Sequence, residues 1–140
     1  MASVDQTIED LADEFALLPD WEERISHVIE LARSLAPLSD EERTEDNRVR
    51  GCVSRVWLVS ERRPDQPEKL YFRGDSDAHL VRGEIAMLLR IFSGRTPSEI
   101  LSVDPRAVFE RLGLQHALTA QRSNGLFAMM NRIQQEARNT

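Results

Sequence analysis

The chain has 140 residues, 41% of them hydrophobic, which suits one domain over residues 1–140 with a single core. Its formal net charge of −6 argues against nucleic acid as the main partner, because phosphate binding depends on clustered Lys and Arg. No run of about 18 apolar residues could cross a membrane, and the acidic start MASVDQTIEDLADEF does not resemble a secretory signal, so we expect a soluble, cytoplasmic protein.

Two amphipathic helices are predicted in the first third of the chain. The first covers residues near 5–17, where apolar side chains recur at the i, i+3, i+4 and i+7 spacing. The second starts after Asp20, whose side chain can cap it, and Glu23 completes a capping-box pattern. The polar segment at 37–48 is then predicted to be a connection with one helical turn at 39–42.

A β-hairpin is predicted next. Residues 53–59 are rich in β-branched and aromatic side chains, and the apolar centre VWLV favours a strand covered on both faces. Residues 69–74, KLYFRG, form the second predicted strand, and the intervening RRPDQPEK carries turn chemistry. The loop before Cys52 is a candidate third strand.

Helices are predicted for the rest of the chain. Ser76 or Asp75 can cap a long apolar helix that Gly94 closes. At 96–99 and 104–105 a capping side chain precedes a proline, which indicates two short helices. A last helix presents an apolar face that includes two methionines, which we interpret as core. Two strands and about six helices predict an α+β domain with a small antiparallel sheet and surrounding helices.

The sequence offers few alternatives for metal or nucleotide chemistry. The one cysteine and three histidines are far apart and show no ligand pair at i, i+3 or i+4, so no metal site is predicted. The scattered glycines form no phosphate loop. Of the histidines, only His79 remains a candidate base for a Cys–His pair, because His27 and His116 suit packing or surface positions.

Cys52 is the residue best placed for chemistry. In the stretch 47–59, NRVRGCVSRVWLV, it follows Gly51, which can adopt a positive φ, at a loop-to-strand junction where a thiol can be presented. In extended backbone Arg48, Arg50 and Cys52 point to the same side, so two guanidiniums are predicted to lower the thiol pKa. The residues alone leave two interpretations open: a reactive thiol, or an inert and partly buried cysteine.

Five separated stretches resemble the SufE family of sulfur acceptors. They are the DW that opens the second helix, ERTEDNRVRGCVSRVWL, FRGDSDAHLVRGEIAMLL, GRTPSEIL and LTAQRSNGLFAMMNRI. The resemblance covers nearly the whole chain. It implies the SufE fold, which is similar to that of iron–sulfur scaffold proteins and consists of a small antiparallel sheet with surrounding helices.

The resemblance also implies a function. Cys52 would accept persulfide sulfur from a cysteine desulfurase of the SufS-like or CsdA-like kind and pass it to an iron–sulfur scaffold or another acceptor. The pyridoxal phosphate (PLP) belongs to the desulfurase, so no cofactor of its own is expected. The implied supporting or partner-contact positions are Arg48, Arg50, Gly51, Ser54, Asp75, Arg122 and Asn124.

Some of these positions have plainer interpretations. Asp75 could shape the active-site loop or simply cap a helix, and Arg122 could contact the loop or the desulfurase, or be an ordinary surface or capping residue. The chain also departs from the family at Val53 and Arg55, where polar Gln-type residues are common.

Two other functions remain open at this stage. A redox-sensing or peroxide-reducing thiol protein is motivated by Arg48 and Arg50 beside Cys52, although no second cysteine is present to resolve an oxidised form. A non-catalytic module that activates a desulfurase by contact alone would not use the thiol at all.

Overall fold

The computed structural model describes residues 2–140, and its sheet consists of two antiparallel strands. Strand β1 (Val56–Arg63) pairs with β2 (Gln66–Ser76), and the register places Val56 opposite Ser76. The first residues of β1 are buried, as the apolar VWLV predicts. The predicted hairpin is therefore confirmed, with β1 starting three residues later than expected.

The candidate third strand is only a single bridge. Arg48 lies opposite Trp57, flanked by hydrogen bonds from the Val49 N–H to the Val56 carbonyl (2.9 Å) and from the Leu58 N–H to the Asn47 carbonyl (2.8 Å). Pairing ends there because the chain turns away at Gly51 with a φ of +90°. Residues 50–55 consequently form a loop whose base is held by the sheet.

Six helices surround the sheet, and their starts follow the predicted caps. The side chains of Asp20, Thr96 and Asp104 each accept a backbone N–H of the first turn, at Glu23, Glu99 and Arg106 respectively. The helices are α1 (Val4–Ala16), α2 (Trp21–Leu31), α3 (His79–Phe92), α4 (Pro97–Leu101), α5 (Pro105–Arg111) and α6 (Ala120–Arg138). Single 3-10 turns lie at Ala32–Ser34, Asp40–Glu42 and Leu114–His116.

The predicted cap of α3 is wrong. Its N-cap is Ala78, which has no side-chain capping bond, and both Asp75 and Ser76 belong to β2. The Ser76 hydroxyl donates instead to the carbonyl of Arg55 at 2.6 Å. The Asp75 carboxylate pairs with Arg43 and Arg82.

Helix α3 is the centre of the core. Its buried face packs against α2, the sheet, α1 and α6. Gly83 lets α2 approach closely, since a Cβ at that position would lie 2.1 Å from the Val28 carbonyl oxygen. Met129 and Met130 on α6 are buried, so their assignment to the core is confirmed. No helix within residues 2–140 is long and apolar enough to span a membrane.

Candidate functional site

Cys52 lies in the loop 50–55 and faces α6. Because Gly51 has no side chain, the loop can pack closely against α6. A Cβ at this position would lie 3.3 Å from the Cβ of Ala128. Gly51 does adopt the positive φ that glycine permits. The Cys52 thiol is partly buried and donates to the Gly125 carbonyl, with 3.5 Å between Sγ and O. Its neighbour Val53 points outward and is 72% exposed.

A pocket of about 80 Å³ lies beside the thiol, where the loop meets α3 and α6. Ser54 lines it from the loop, Glu84 from α3, and Arg122 and Gly125 from α6. The pocket therefore combines one thiol, one carboxyl and one guanidinium between apolar walls. Ser54 and Arg122, two of the supporting positions predicted from the sequence, are brought to Cys52 by the fold.

Glu84 is the residue at this site that the sequence interpretation missed. Glu84 is only 3% exposed, and its Oε1 has no hydrogen-bond partner among residues 2–140. Burial raises the pKa of Glu84 to about 7, although the positive charge of Arg122 acts in the opposite direction. The signal was present in the sequence, because Glu84 interrupts the apolar face formed by Val81, Ile85 and Leu88 at helical spacing.

The prediction that two arginines lower the Cys52 pKa is wrong. Burial raises the pKa of the thiol, the negative charge of Glu84 raises it further, and Arg48 only partly opposes them. The Arg50 side chain is 80% exposed and points to Glu45, 3.6 Å away. Arg48 also has Glu45 nearby, at 3.8 Å, so the carboxylate offsets both guanidiniums.

Asp75 organises the connection that leads to the loop. Its Oδ2 accepts from the Arg43 guanidinium at 2.8 Å and from the Leu38 N–H at 3.2 Å. Its Oδ1 lies 3.0 Å from Nε of Arg82 and accepts from the Ser76 N–H at 2.8 Å. Asp75 is thus a buried tether between β2, α3 and the segment at 38–43, and it does not line the Cys52 pocket.

Arg132 is a second anchor that the sequence interpretation missed. From α6 its guanidinium donates to the carbonyls of Asp46 (2.7 Å) and Arg48 (3.0 Å) and pairs with Glu136 (3.0 Å). These bonds hold the connection just before Cys52 against the same helix that carries Gly125. The sequence could not predict these contacts, because Arg132 lies more than 80 positions away from Asp46 and Arg48.

The remaining candidates lie apart from the thiol. Asn124 is exposed on α6 and does not line the pocket. None of the three histidines lines it either: His27 bonds to Glu14 at 3.1 Å, His116 lies beside Trp21, and His79 is exposed at the start of α3. Within residues 2–140 no group of three or more His, Cys, Asp or Glu side chains is placed to hold a metal ion.

Comparison with known proteins extends these observations. A family model described as SufE: Fe-S metabolism associated domain matches residues 9–137. An uncharacterized SufE-like protein of Rhizobium etli is 48% identical over 140 residues, which cover 99% of this chain and 91% of that protein. A second uncharacterized SufE-like protein, of Rhizobium meliloti, is 46% identical over 138 residues, covering 98% and 96%.

A solved structure gives the same result for the fold. The solution structure of a hypothetical protein from Thermus thermophilus matches with a TM-score of 0.77 at 23% identity, covering 95% of this chain and 94% of that one. At this identity the match is evidence for the fold, and it confirms the predicted α+β architecture. With the family model and the two relatives, it leads to the conclusion that this chain belongs to the SufE family.

Proposed function

We propose that this protein accepts sulfur from a PLP-dependent cysteine desulfurase, and activates that enzyme, with Cys52 as the persulfide carrier for iron–sulfur cluster assembly. The observation that carries the proposal is the position of the only cysteine, in a loop beside a pocket, in a chain of the SufE family. The PLP belongs to the partner. We place the protein in the cytoplasm, where a lone thiol stays reduced.

The transfer itself is a displacement at sulfur. The Cys52 thiolate attacks the outer sulfur of the persulfide on the desulfurase cysteine, a new S–S bond forms, and the partner's S–S bond breaks. The partner's cysteine leaves as a thiolate, and Cys52 becomes the persulfide. No external oxidant or reductant is needed, because one sulfur atom moves between two cysteines.

The pocket supports storage of that sulfur. Its volume of about 80 Å³ exceeds the roughly 15 Å³ that admits a water molecule, so an outer sulfur atom fits beside Sγ. The chain has no second cysteine that could attack the persulfide and release the sulfur by forming a disulfide. A carrier needs both properties, since it must hold the sulfur until an acceptor arrives.

The site gives less support to a peroxide-sensing thiol. Such thiols react as thiolates with a depressed pKa and are exposed. Here burial and the charge of Glu84 raise the pKa of Cys52, and the side chain is partly buried. The sulfur-acceptor function is compatible with this resting state, because the attacking thiolate is required only when the partner is bound.

The proposal is tested by mixing the protein with its purified desulfurase and L-cysteine. We expect faster alanine production with the native protein, and an intact mass that shows one added sulfur atom on Cys52. Cys52→Ser should neither stimulate nor gain sulfur, while Ala16→Ser, an exposed change on α1, should behave as native.

The Cys52→Ser result also decides between carrier and contact-only activator. If the variant stimulates as well as the native protein, the thiol is not the acceptor and the proposal is wrong. If it binds the desulfurase with native affinity but does not stimulate, activation by contact alone is eliminated.

A further inference from the structure

Cys52 and Glu84 are two acidic groups that line one small pocket. Cys52 enters it from the loop and Glu84 from the second turn of α3. Glu84 is 3% exposed and its Oε1 lacks any hydrogen-bond partner among residues 2–140. A buried carboxyl oxygen without a donor is costly, and its retention beside a thiol points to a use at that site.

The charges around the pair limit how many protons it can lose. Arg122 of α6 lines the pocket together with Glu84 and favours its ionised form, and the charge of Arg48, in the connection before the loop, favours the ionised form of Cys52. Ionised Glu84 opposes formation of the Cys52 thiolate, since two negative charges would then share a buried pocket. Near neutral pH one negative charge on the pair is therefore favoured over two, and in the resting state it lies on Glu84.

We propose that Cys52 and Glu84 share one proton over the neutral pH range, so that Glu84 holds the proton that Cys52 gives up when it attacks an incoming sulfur. Glu84 acts in this scheme by accepting the proton of Cys52. The inference deepens the proposed function and rests on it for the identity of the sulfur donor.

The proton transfer keeps the charge of the pocket constant. The pair starts as Cys52–SH with the Glu84 carboxylate and becomes the Cys52 thiolate with Glu84 as the neutral acid. The thiolate then attacks the outer persulfide sulfur, and the partner's cysteine leaves as a thiolate. One negative charge is present before and after the proton moves, and no second charge has to be created in the buried pocket.

A shared proton has a signature in the pH dependence of Cys52 reactivity. Below about pH 7 both acids are protonated and the thiolate fraction rises about tenfold per pH unit. Above about pH 7 the pair has lost one proton, and its distribution between the two residues no longer depends on pH. Reactivity therefore stays flat, over a range equal to the strength of the coupling in pH units, before a second rise begins.

The test is alkylation of the free protein with iodoacetamide, from about pH 5.5 to about pH 9.5, followed by intact mass. We expect the native rate to flatten for at least about one pH unit above pH 7. Glu84→Gln has a similar shape but cannot ionise, so its rate should rise without a flat section and exceed the native rate about tenfold near pH 8.5. Glu110→Gln, an exposed change on α5, should reproduce the native profile.

A second measurement does not depend on a variant of Glu84. Carbon NMR of the Glu84 carboxyl should show a midpoint near pH 7 and a second inflection at higher pH, which Cys52→Ser removes. A native alkylation profile that rises through pH 7 without flattening would overturn the inference, as would a single Glu84 titration that Cys52→Ser leaves unchanged.

These results are separate from those that test the proposed function, because no desulfurase is present. A flat native section supports the shared proton even if Cys52→Ser stimulates the desulfurase normally, in which case only the proposed function fails. A profile without flattening overturns the shared proton even if Cys52 proves to be the sulfur acceptor.

Discussion

Asp75 binds Arg43 at 2.8 Å although the two residues are 32 positions apart in the sequence. The Asp75 carboxylate thereby fixes the connection at 38–43 to the last residues of β2. It also pairs with Arg82 of α3, so that three elements are held together at this point. The connection leads directly to the Cys52 loop. Its course, and therefore the place where the thiol emerges, depends on this buried charge.

Replacing Asp75 with asparagine should lower the free energy of unfolding by about 2 kcal/mol near pH 7, because the partly exposed Arg43 and Arg82 would lose their bonds to a buried carboxylate. Urea unfolding measures the change. Asp77→Asn is the matched control, since Asp77 pairs with Arg55 on the exposed surface and should cost less than about 1 kcal/mol. Equal losses for the two variants would contradict the assignment.

The pH dependence of this difference has a definite sign. Burial acts to raise the pKa of Asp75, but the N–H groups of Ser76 and Leu38 with Arg43 and Arg82 hold it below its usual value. A depressed folded pKa gives stability that is present above the unfolded value of about 3.9 and is lost as pH falls through the folded value. The stability difference between the native protein and Asp75→Asn should therefore start to shrink as the pH falls below about 4 and vanish only below the lower folded pKa.

Glu84 should show the opposite dependence. Its folded pKa of about 7 exceeds the unfolded value of about 4.3, so the unfolded chain releases the proton first and stability falls as pH rises between these values. Glu84→Gln should equal the native protein near pH 4 and be more stable by about 3 kcal/mol at pH 8. Urea unfolding at both pH values provides the measurement, and a gain that is the same at both would refute the shifted pKa.

Gly51→Ala should disturb the Cys52 loop selectively. Alanine at a φ of +90° costs about 1–2 kcal/mol, and its Cβ would also meet Ala128, which pushes the loop away from α6. We expect severalfold faster alkylation of Cys52. Gly113→Ala is the control, because Gly113 has a φ of +71° but lies beside Trp21, outside the pocket. It should lose similar stability with no change in alkylation, and parallel behaviour of both variants would be evidence against the loop effect.

Arg132→Met should release the connection before the loop. The native guanidinium donates to the carbonyls of Asp46 and Arg48, and hydrogen bonds from a charged group contribute about 1.5–3 kcal/mol. Amide hydrogen exchange over residues 46–52 should accelerate about tenfold or more, and the Leu58 N–H that binds the Asn47 carbonyl should follow, while the β1 amides bonded to β2 are unaffected. Arg138→Met, an exposed change near the end of α6, should alter neither region. Equal acceleration of the β1 amides bonded to β2 would mean that Arg132 supports the whole fold.

The sequence predicted those parts of the fold that short-range chemistry determines. Asp20, Thr96 and Asp104 cap helices as expected, because each satisfies a backbone N–H only two or three residues away. The hairpin followed equally from β-branched residues around turn chemistry. Gly51 adopts the positive φ that its lack of a side chain permits.

The sequence did not predict what distant residues determine. Nearness in sequence favours Ser76 or Asp75 as the cap of α3, whereas the arginines that bind Asp75 are brought to it by the fold. The Arg48 and Arg50 prediction assumed extended backbone and did not include Glu45 or Glu84. Residues of the loop, α3 and α6 line the pocket. Among them, only Cys52 could be recognised as a candidate from its own neighbours in the sequence.

Two backbone hydrogen bonds at the base of the Cys52 loop separate the residues that hold the loop in place from the residues at its exposed tip. Asn47, Val49, Val56 and Leu58 close this base, and the side chains of Val49, Val56 and Leu58 are buried. Beyond the base, Val53 is exposed, so changing it removes no buried contact. The residues that hold the loop therefore differ from those that it exposes, and the tip of the loop can diverge between relatives at little cost to the stability of the fold.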